Sequence, residues 1–269
     1  CDGSNLTIAS NPKDAETFQK SNQFNTSNHM HINAFYDVTN RIYLDTIVQT
    51  LSERNEYRAC AQMIDRSNIK DNVILIADRG YENYNIIAHA IEKGWKFVIR
   101  AKDIHSNGIA SALSLPLVNT FDEDVSLILG RSQKKSKLIK NYKFMPTVQT
   151  FDYVPIKSKN EYLMNLRIVR LELSENSYEL LITNLNREEF SSKDLKEIYH
   201  LRWGIETSFR ELKYAIGLTN FHAKKVEYIK QEIFARLTLY NYCELITGYV
   251  VLQRKEKNKK FFFFFFFLK

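Results

Sequence analysis

The chain has 269 residues, enough for one large domain, or a domain with a subdomain, around a sizeable buried core. Lys and Arg outnumber Asp and Glu by 38 to 31, and the net charge of +7 favours a polyanionic partner without proving one. The 3 cysteines lack C-x-x-C spacing, and no apolar run approaches the ~20 residues that span a bilayer. These features argue against disulfide scaffolds and membrane proteins and predict a soluble cytoplasmic protein.

The first hundred residues predict an α/β pattern. The expected elements are an opening strand within 1–10, a polar loop at 13–28, a hairpin of strands 29–36 and 42–49, a helix at 53–66, a strand at 73–77, a helix at 82–93 and a strand at 95–100. The run at 73–77 is continuously apolar, which is typical of a strand buried on both faces. Strands and helices in this order favour a mixed sheet.

The pattern changes after Asp103. Short β-like runs occur at 127–129, 144–151, 166–173 and 178–183, without a long helical period, and they predict a β-rich insertion. An acid-free basic run lies within this part of the chain. It comprises Arg131, Lys134, Lys135, Lys137, Lys140 and Lys143. Both a solvated loop and a contact with a DNA backbone are consistent with that run.

One helix is expected across 191–217. Ser191 and Asp194 form a capping-box pattern at its start, and Gly217 can end it in a left-handed conformation. Its apolar stripe is Leu195, Ile198, Leu201, Ile205, Phe209, Leu212 and Ile216. A polar stripe, rotated by roughly 80–90° on the helical wheel, is Tyr199, Arg202, Glu206 and Lys213. Taken alone, Arg202 and Glu206 could equally be an ordinary surface ion pair.

The polar stripe resembles a known signature. Tyr199, Arg202, Glu206 and Lys213 have the spacing of the Y-R-E-K motif of the insertion-sequence-four family of DDE transposases. The resemblance implies that Glu206 is the third catalytic carboxylate. It also implies that the tyrosine, the arginine and the lysine contact transposon-end DNA. Asp78, in the stretch Ala-Asp-Arg-Gly-Tyr at 77–81, resembles the second catalytic aspartate.

The first catalytic aspartate has two candidates. Asp2, followed by Gly and Ser, resembles the family's first aspartate, whereas Asp37 has Thr39 and Asn40 as neighbours and is typical of a turn. We therefore favour Asp2. The family's N-terminal end-binding region has no counterpart in 1–269. We accordingly expect these residues alone to be inactive in transposition and Asp2 to be held loosely by a frayed strand.

The resemblance implies an α/β fold with a ribonuclease-H-like mixed sheet, flanked by helices and interrupted by a β-rich insertion. The corresponding boundaries are 1–104 and 189–254 for the catalytic domain and 105–188 for the insertion. A low-complexity tail follows at 255–269, with seven phenylalanines at 261–267 that we exclude from the fold. A second long helix, at about 226–252, closes the catalytic domain.

The implied function is the catalytic core of a cut-and-paste DNA transposase in the bacterial cytoplasm, associated with the nucleoid. Asp2, Asp78 and Glu206 would hold two Mg²⁺ ions, with Mn²⁺ as a substitute. The partners would be transposon ends and target DNA, and the assembly a homodimer in a synaptic complex. Two alternatives stay open, namely an inactive remnant that at most binds DNA, and another ribonuclease-H-like nuclease.

Two further patterns carry structural expectations. His29 and His31 share one strand face, but no third ligand has recognisable spacing, so ordinary hydrogen-bonded histidines are expected. Trp203 and Phe209 in the long helix are expected to pack in the core rather than to stack on bases.

Overall fold

The computed structural model describes residues 1–19, 27–69, 72–175 and 177–257. The first sheet contains β1 (Asp2–Ile8), β2 (Phe18–Gln19), β3 (Ser27–Asp37) and β4 (Ile42–Thr50). In this sheet β3 pairs antiparallel with each of the other three strands. The prediction of a 29–36 and 42–49 hairpin is confirmed, while β2 lies inside the stretch that we expected to be a loop.

The second sheet has six strands, and the helices follow in chain order. Its strands are β5 (Ile74–Ala77), β6 (Lys96–Ala101), β7 (Phe121–Gly130), β8 (Tyr142–Phe144), β9 (Glu161–Ser174) and β10 (Ser177–Thr183). The helices are α1 (Glu56–Arg66), α2 (Tyr84–Glu92), α3 (Gln133–Leu138), α4 (Ser192–His200), α5 (Trp203–Tyr214) and α6 (Val226–Lys257). The strand order is β5-β6-β10-β9-β7-β8, with parallel pairs at β5–β6 and β7–β8. The fold is therefore α/β, with a mixed sheet.

Three apolar clusters hold the helices against the sheets. The largest joins α1 and α2 to the second sheet, the next joins β1, β3 and β4 to α5 and α6, and the third joins α4 to β6, β9 and β10. Representative buried side chains are Met63, Phe97 and Ile168 in the first, Leu6, Phe209 and Ile233 in the second, and Val98, Leu181 and Leu195 in the third. The strand β5 has apolar neighbours on both faces, as its continuous apolar run predicts.

The start of β1 connects the two sheets. The amino group of Cys1 donates a hydrogen bond to the carbonyl of Ile76 in β5 at 2.7 Å. On its other side, β1 pairs with β3 along its whole length, from Asp2 opposite Ala34 to Ile8 opposite Asn28. The expectation that Asp2 is held loosely by a frayed strand is therefore wrong.

The prediction of a strand at 144–151 is also wrong beyond Phe144, because β8 ends there. The guanidinium of Arg131 reaches into the following segment and donates hydrogen bonds to several of its carbonyl groups. These belong to Met145, Pro146, Gln149, Phe151 and Val154. Because one half-buried cation satisfies these carbonyls, the segment forms turns instead of pairing as a strand.

The strands of 105–188 continue the sheet that β5 and β6 begin, because β10 pairs with β6 from Leu180 to Thr183. The domain boundaries given above stay a prediction. The phenylalanine run at 261–267 lies outside the described residues. Within the part of the chain that is described, no helix is long and apolar enough to cross a membrane.

We expect the buried ion pair of Arg167 to be important for stability. Its side chain is 3% exposed, and it binds both oxygens of Asp122 at 2.8 and 2.7 Å and the carbonyl of Phe190 at 2.8 Å. Arg167→Met should lower the free energy of unfolding by about 3 kcal/mol, because it leaves a partly buried carboxylate with a weaker partner. Urea denaturation measures this change.

The matched control for Arg167 is Arg187→Met. Arg187 contacts the same Asp122, at 3.0 Å, but its side chain is 47% exposed. Arg187→Met should lower the free energy of unfolding by less than about 1 kcal/mol, because exposed ion pairs contribute little to stability. Equal losses in the two variants would contradict the assignment of the stabilisation to the buried pair.

Candidate active site

The helix expected at 191–217 is broken in the middle. The capping box is present, since Asp194 accepts from the amide of Ser191 at 2.8 Å, and Gly217 has a φ of 79°. However, α4 ends at His200 and α5 begins at Trp203. Through this junction the amides bond three residues back, as from Arg202 to the Tyr199 carbonyl at 3.0 Å. Such 3₁₀ bonding tightens the turn and redirects the chain.

The break lets one stretch of sequence cover two surfaces. Helix α4 packs on the second sheet, and α5 packs on the first sheet with β1. Gly204 follows the break, and a Cβ atom at this position would lie 3.3 Å from Cγ1 of Val38 in the β3–β4 turn. A larger residue would therefore push the hairpin away from the junction. The 3₁₀ turn and this glycine together place Arg202 at the start of β1.

Arg202 lies between two carboxylates that are distant in sequence. Its Nη1 donates to Oε1 of Glu206 at 2.6 Å and lies 3.9 Å from Oδ2 of Asp2. The side chain of Arg202 is 9% exposed, that of Asp2 18% and that of Glu206 36%. Arg202 and Glu206 are therefore not an ordinary surface ion pair, because the arginine is buried and also contacts Asp2, the first residue of β1.

Lys213 contacts the same strand one position further along its face. Its Nζ donates to Oγ of Ser4 at 2.7 Å, and burial lowers the pKa of its ammonium group. Because side chains alternate along a strand, Asp2 and Ser4 face α5 together, ahead of the buried Leu6. Ser4 was missed in the sequence, although its position two residues after Asp2 was a signal that the two share a face.

Asp78 follows the last residue of β5 and caps a short 3₁₀ turn. Its Oδ1 accepts from the amide of Gly80 at 2.7 Å. Burial raises the pKa of Asp2, and the negative charge of Asp78 adds to that rise. The amide of Gly3 and the guanidinium of Arg202 oppose the rise in the pKa of Asp2 without cancelling it. The rise in the pKa of Asp2 therefore comes mainly from the loss of hydration of its carboxylate.

Tyr81 adds a polar group to this site that the sequence analysis missed. Its side chain is 1% exposed, and its hydroxyl has no hydrogen-bond partner within the described residues. Burial raises the pKa of this phenol, and the charges of Asp2 and Asp78 act in the same direction. The hydroxyl is consequently a buried, neutral donor in the short turn that Asp78 caps. Its place in the Asp-Arg-Gly-Tyr stretch was the available signal.

Tyr199 and Trp203 differ from their expected settings. Tyr199 is 6% exposed and packs with Val98 and Leu195, and burial raises the pKa of its hydroxyl. The side chain of Tyr199 is thus in the core, and its role in DNA contact stays a prediction. Trp203, expected to pack, is 55% exposed, whereas Phe209 is buried as expected. The break in the helix explains the exposure of Trp203, because it turns the first residue of α5 outward.

The rejected candidates have structural roles. Asp37 accepts from the amides of Thr39 and Asn40 at 2.8 and 3.0 Å, as a turn residue does. Nε2 of His29 forms a hydrogen bond with Oγ of Ser27 at 2.7 Å, and Nδ1 of His31 forms one with Oδ1 of Asn5 at 2.7 Å. Both histidines are therefore hydrogen-bonded, as expected. In the basic run, Arg131 is occupied by the backbone, and Lys135 pairs with Glu161 at 2.6 Å.

No three His, Cys, Asp or Glu side chains within the described ranges are arranged to hold a metal ion. Asp78 is turned to the Gly80 amide, while Asp2 and Glu206 share the guanidinium of Arg202. A groove of about 830 Å³ opens beside Arg202, between the β3–β4 hairpin and β5. Arg202 therefore both lines this groove and contacts the two carboxylates.

Comparisons with known proteins agree with the sequence pattern. The family model described as "Transposase DDE domain" matches residues 1–242. A stretch of 72 residues is 39% identical to the InsL protein of insertion sequence element IS186A from Escherichia coli (strain K12). The same identity over 72 residues relates the chain to the transposase for insertion sequence element IS421 from Escherichia coli. Each match covers 26% of this chain, and the chain spans about a fifth of these relatives, 20% and 19% respectively.

We expect Asp2→Asn to stabilise the protein at neutral pH. The folded state raises the pKa of Asp2 above its ordinary value of 3.8, so the folded carboxyl binds its proton more tightly than the unfolded one. Wild-type stability therefore falls as the pH rises through the raised pKa, and the neutral amide avoids this loss. Urea denaturation at pH 7 should give a higher free energy of unfolding for the variant than for the wild type, and this difference should vanish at acidic pH. A variant that is less stable at pH 7 would show that the contact with Arg202 dominates.

Proposed function

The chain belongs to the transposase DDE domain family, because the model of that family matches residues 1–242. We propose that the chain forms the catalytic core of a cut-and-paste DNA transposase. In this proposal Asp2, Asp78 and Glu206 are the catalytic carboxylates. They come from β1, from the end of β5 and from α5, which are far apart in the sequence. The relatives named above belong to insertion sequence elements, which supports the same reading.

The observation that carries the proposal is the shared contact of Arg202. One nitrogen of its guanidinium lies within 3.9 Å of a carboxylate from β1 and 2.6 Å from a carboxylate of α5. The third carboxylate, Asp78, directly follows β5, whose Ile76 carbonyl accepts a hydrogen bond from the amino group of Cys1, the residue before Asp2. Several acidic groups gathered at the partly buried end of a strand lose hydration, which costs free energy. Such an arrangement is typical of functional sites.

We propose a ribonuclease-H-like arrangement of the two sheets, interrupted by the insertion at 105–188. Support comes from β1, which pairs with β3 on one side and reaches β5 through the bond from Cys1 to Ile76 on the other. In the described structure β1 ends its own sheet, and this bond brings its start next to β5 of the other sheet. Helices on both faces and the strand end that carries Asp2 are consistent with the same arrangement.

The residues present fit divalent metal ions in their chemistry. Asp2, Asp78 and Glu206 offer only oxygen donors, which Mg²⁺ prefers, and Mn²⁺ accepts the same set. The hydroxyl of Tyr81, in the short turn that Asp78 caps, is buried without a partner within the described residues, so it is available to a water molecule of a hydrated ion. The fit requires Asp78 to turn from the Gly80 amide towards Asp2.

When bound, two such ions supply the activation of an attacking oxygen and the stabilisation of a leaving oxygen at phosphorus. The chain itself holds and orients the reacting groups. Asp2 is fixed by the pairing of β1 with β3, and Glu206 by the packing of α5 through Phe209 and Leu212. Lys213 contributes positive charge at the same face of β1, where a phosphate group would be attracted.

We propose transposon ends and target DNA as partners, and a homodimer as the synaptic assembly, in the bacterial cytoplasm at the nucleoid. The net charge of +7 is consistent with a polyanionic partner. Joining two DNA ends needs two active sites, which a homodimer supplies. Helix α6 has exposed apolar side chains that are consistent with a protein contact. They include Leu239, Tyr242, Leu245 and Ile246.

Glu206→Gln should reduce Mg²⁺-dependent strand cleavage by at least about 100-fold, because it removes a charged ligand from the site. It should leave DNA binding almost unchanged, since it removes no positive charge. The measurement is cleavage of DNA that carries the ends of the element, together with a binding titration. The matched control is Glu197→Gln on α4, whose side chain is 69% exposed and faces away from the site.

The outcomes separate the candidate functions. Normal cleavage in Glu206→Gln would contradict the catalytic assignment. Binding of DNA by the wild type with no cleavage under any metal would instead support a remnant that binds DNA. Cleavage without joining to a target would support a nuclease.

Lys213→Gln should weaken DNA binding and make it less dependent on salt. Each phosphate contact contributes about 0.9 to the slope of affinity against salt concentration, so the variant should lose roughly one such contact. Binding titrations at several salt concentrations measure the slope. Lys193→Gln is the control, since this side chain is 83% exposed on α4. If the dependence of DNA affinity on salt is unchanged in Lys213→Gln, Lys213 does not contact a phosphate of the DNA, and its hydrogen bond to Ser4 is its role.

A further inference from the structure

Arg202 differs from the other buried arginines of this chain. Arg167 is 3% exposed and uses its guanidinium to bind both oxygens of Asp122 and two carbonyl groups. Arg170, 6% exposed, likewise binds both oxygens of Asp103 and the carbonyl groups of Val118 and Asn119. Each of these arginines ties backbone segments together. Their contacts set the standard for a structural arginine in this molecule.

Arg202 makes far less use of its donors. One hydrogen bond, to Glu206, satisfies Nη1, and the buried Nε has no partner within the part of the chain that is described. Its side chain is nevertheless 9% exposed, so the guanidinium has lost most of its water. A buried cation with unused donors holds no backbone in place. Its main contribution here is positive charge between Asp2 and Glu206.

The position of that charge is the position a metal ion would need. Oε1 of Glu206, which accepts from Nη1 at 2.6 Å, is also a donor atom of the proposed metal site. Oδ2 of Asp2, another such donor, is 3.9 Å from the same nitrogen. A guanidinium and a divalent cation so close together would repel each other strongly in a partly buried site. The two cations therefore compete for one pair of carboxylates.

We propose that Arg202 is a built-in counter-cation that competes with the divalent metal ion for Asp2 and Glu206, and so lowers the metal affinity of the site. This inference rests on the proposed function. A bound ion would displace the guanidinium from Glu206. Arg202 lines a groove of about 830 Å³ that gives a displaced side chain room, and its Cζ already lies 5.1 Å from the ring centroid of the exposed Trp203.

The alternative role for Arg202 is an orienting contact outside the metal ligands. Glu206 could keep its bond to Arg202 through Oε1 and bind an ion through its other oxygen. Orienting partners of this kind strengthen metal binding, and their loss typically weakens it by about 10- to 100-fold. Competition predicts the opposite sign. The sign of the change in metal affinity therefore distinguishes the two roles.

The experiment measures Mg²⁺ and Mn²⁺ binding to the full chain by titration calorimetry. Arg202→Gln should bind both ions about fivefold more tightly than the wild type, the factor expected from removing a competing ion pair of ordinary strength. Arg210→Gln is the matched control, because this arginine lies exposed on the same helix and carries the same charge. Its metal affinity should stay within about twofold of the wild type, because exposed charges are screened.

Thermal denaturation supplies a second readout that does not depend on activity. Without added metal, Arg202→Gln should melt below the wild type, because Asp2 and Glu206 then lie together with no counter-charge. Saturating Mg²⁺ should reduce or reverse this difference, since the ion replaces the guanidinium. Arg202→Lys keeps a charge without the planar fork, so its metal affinity should lie between those of the wild type and the glutamine variant. The lysine variant decides the matter if the glutamine variant does not fold.

Unchanged or weaker metal binding in Arg202→Gln, with binding intact in the wild type, would overturn the competition and leave the proposed function standing. For the lysine variant the same holds if its affinity is equal to or weaker than that of the wild type. Failure of the wild type and both variants to bind either ion would overturn the metal assignment itself, and this inference with it. Asp2→Asn, which removes one ligand, should abolish the tight binding and so identifies the site that is measured.

Discussion

Negative charge at the start of β1 is the constraint on which the rest of the site depends. Burial raises the pKa of Asp2 there, with a smaller contribution from Asp78, and Glu206 approaches from α5. Carboxylates gathered in a poorly hydrated place repel each other unless cations lie among them. Arg202 and Lys213 supply that positive charge from one side of the strand. The break between α4 and α5 matters because it delivers the arginine to this place.

Much of the fold was predictable because its signals are local. The capping box at Ser191, the left-handed Gly217 and the apolar run of β5 each depend on neighbouring residues, and each is present. The break at Arg202 was not predictable in this way. Apolar residues keep a spacing of three or four through a 3₁₀ turn as well as through an α-helix, so the pattern of Ile198 and Ile205 is the same in both.

The candidate site was partly predictable for a different reason. The resemblance to a transposase signature identified Arg202, Glu206 and Lys213, and these three side chains do lie along β1. It could not indicate that Tyr199 is buried in the core, because burial depends on the packing of α4 against β6 and β9. Tyr81 was missed because an unpartnered hydroxyl is a property of the folded site. Composition and spacing carry no information about it.

Several of the buried polar atoms without a partner in the described residues belong to the site residues or to neighbours of β1. They include the hydroxyls of Tyr81 and Tyr199, Nε of Arg202 and Oδ1 of Asn33. Oδ1 of Asn33 would lie 3.4 Å from a Cβ atom on Gly3. Elsewhere, Arg131, Arg167 and Arg170 each donate from all three guanidinium nitrogens. Unused donors and acceptors lower stability where they occur, so their accumulation around β1 is consistent with groups kept available for a ligand.

The apolar core determines how accurately these polar groups can be held. Along β1, Asp2 and Ser4 face Arg202, Glu206 and Lys213, while the next positions on that face, Leu6 and Ile8, are 1% and 8% exposed. Those two side chains pack in the cluster that contains the buried face of α5. The same strand and the same helix thus carry both the polar site and the core. A shift of α5 along β1 would need the core to repack, so close packing keeps the carboxylates in register.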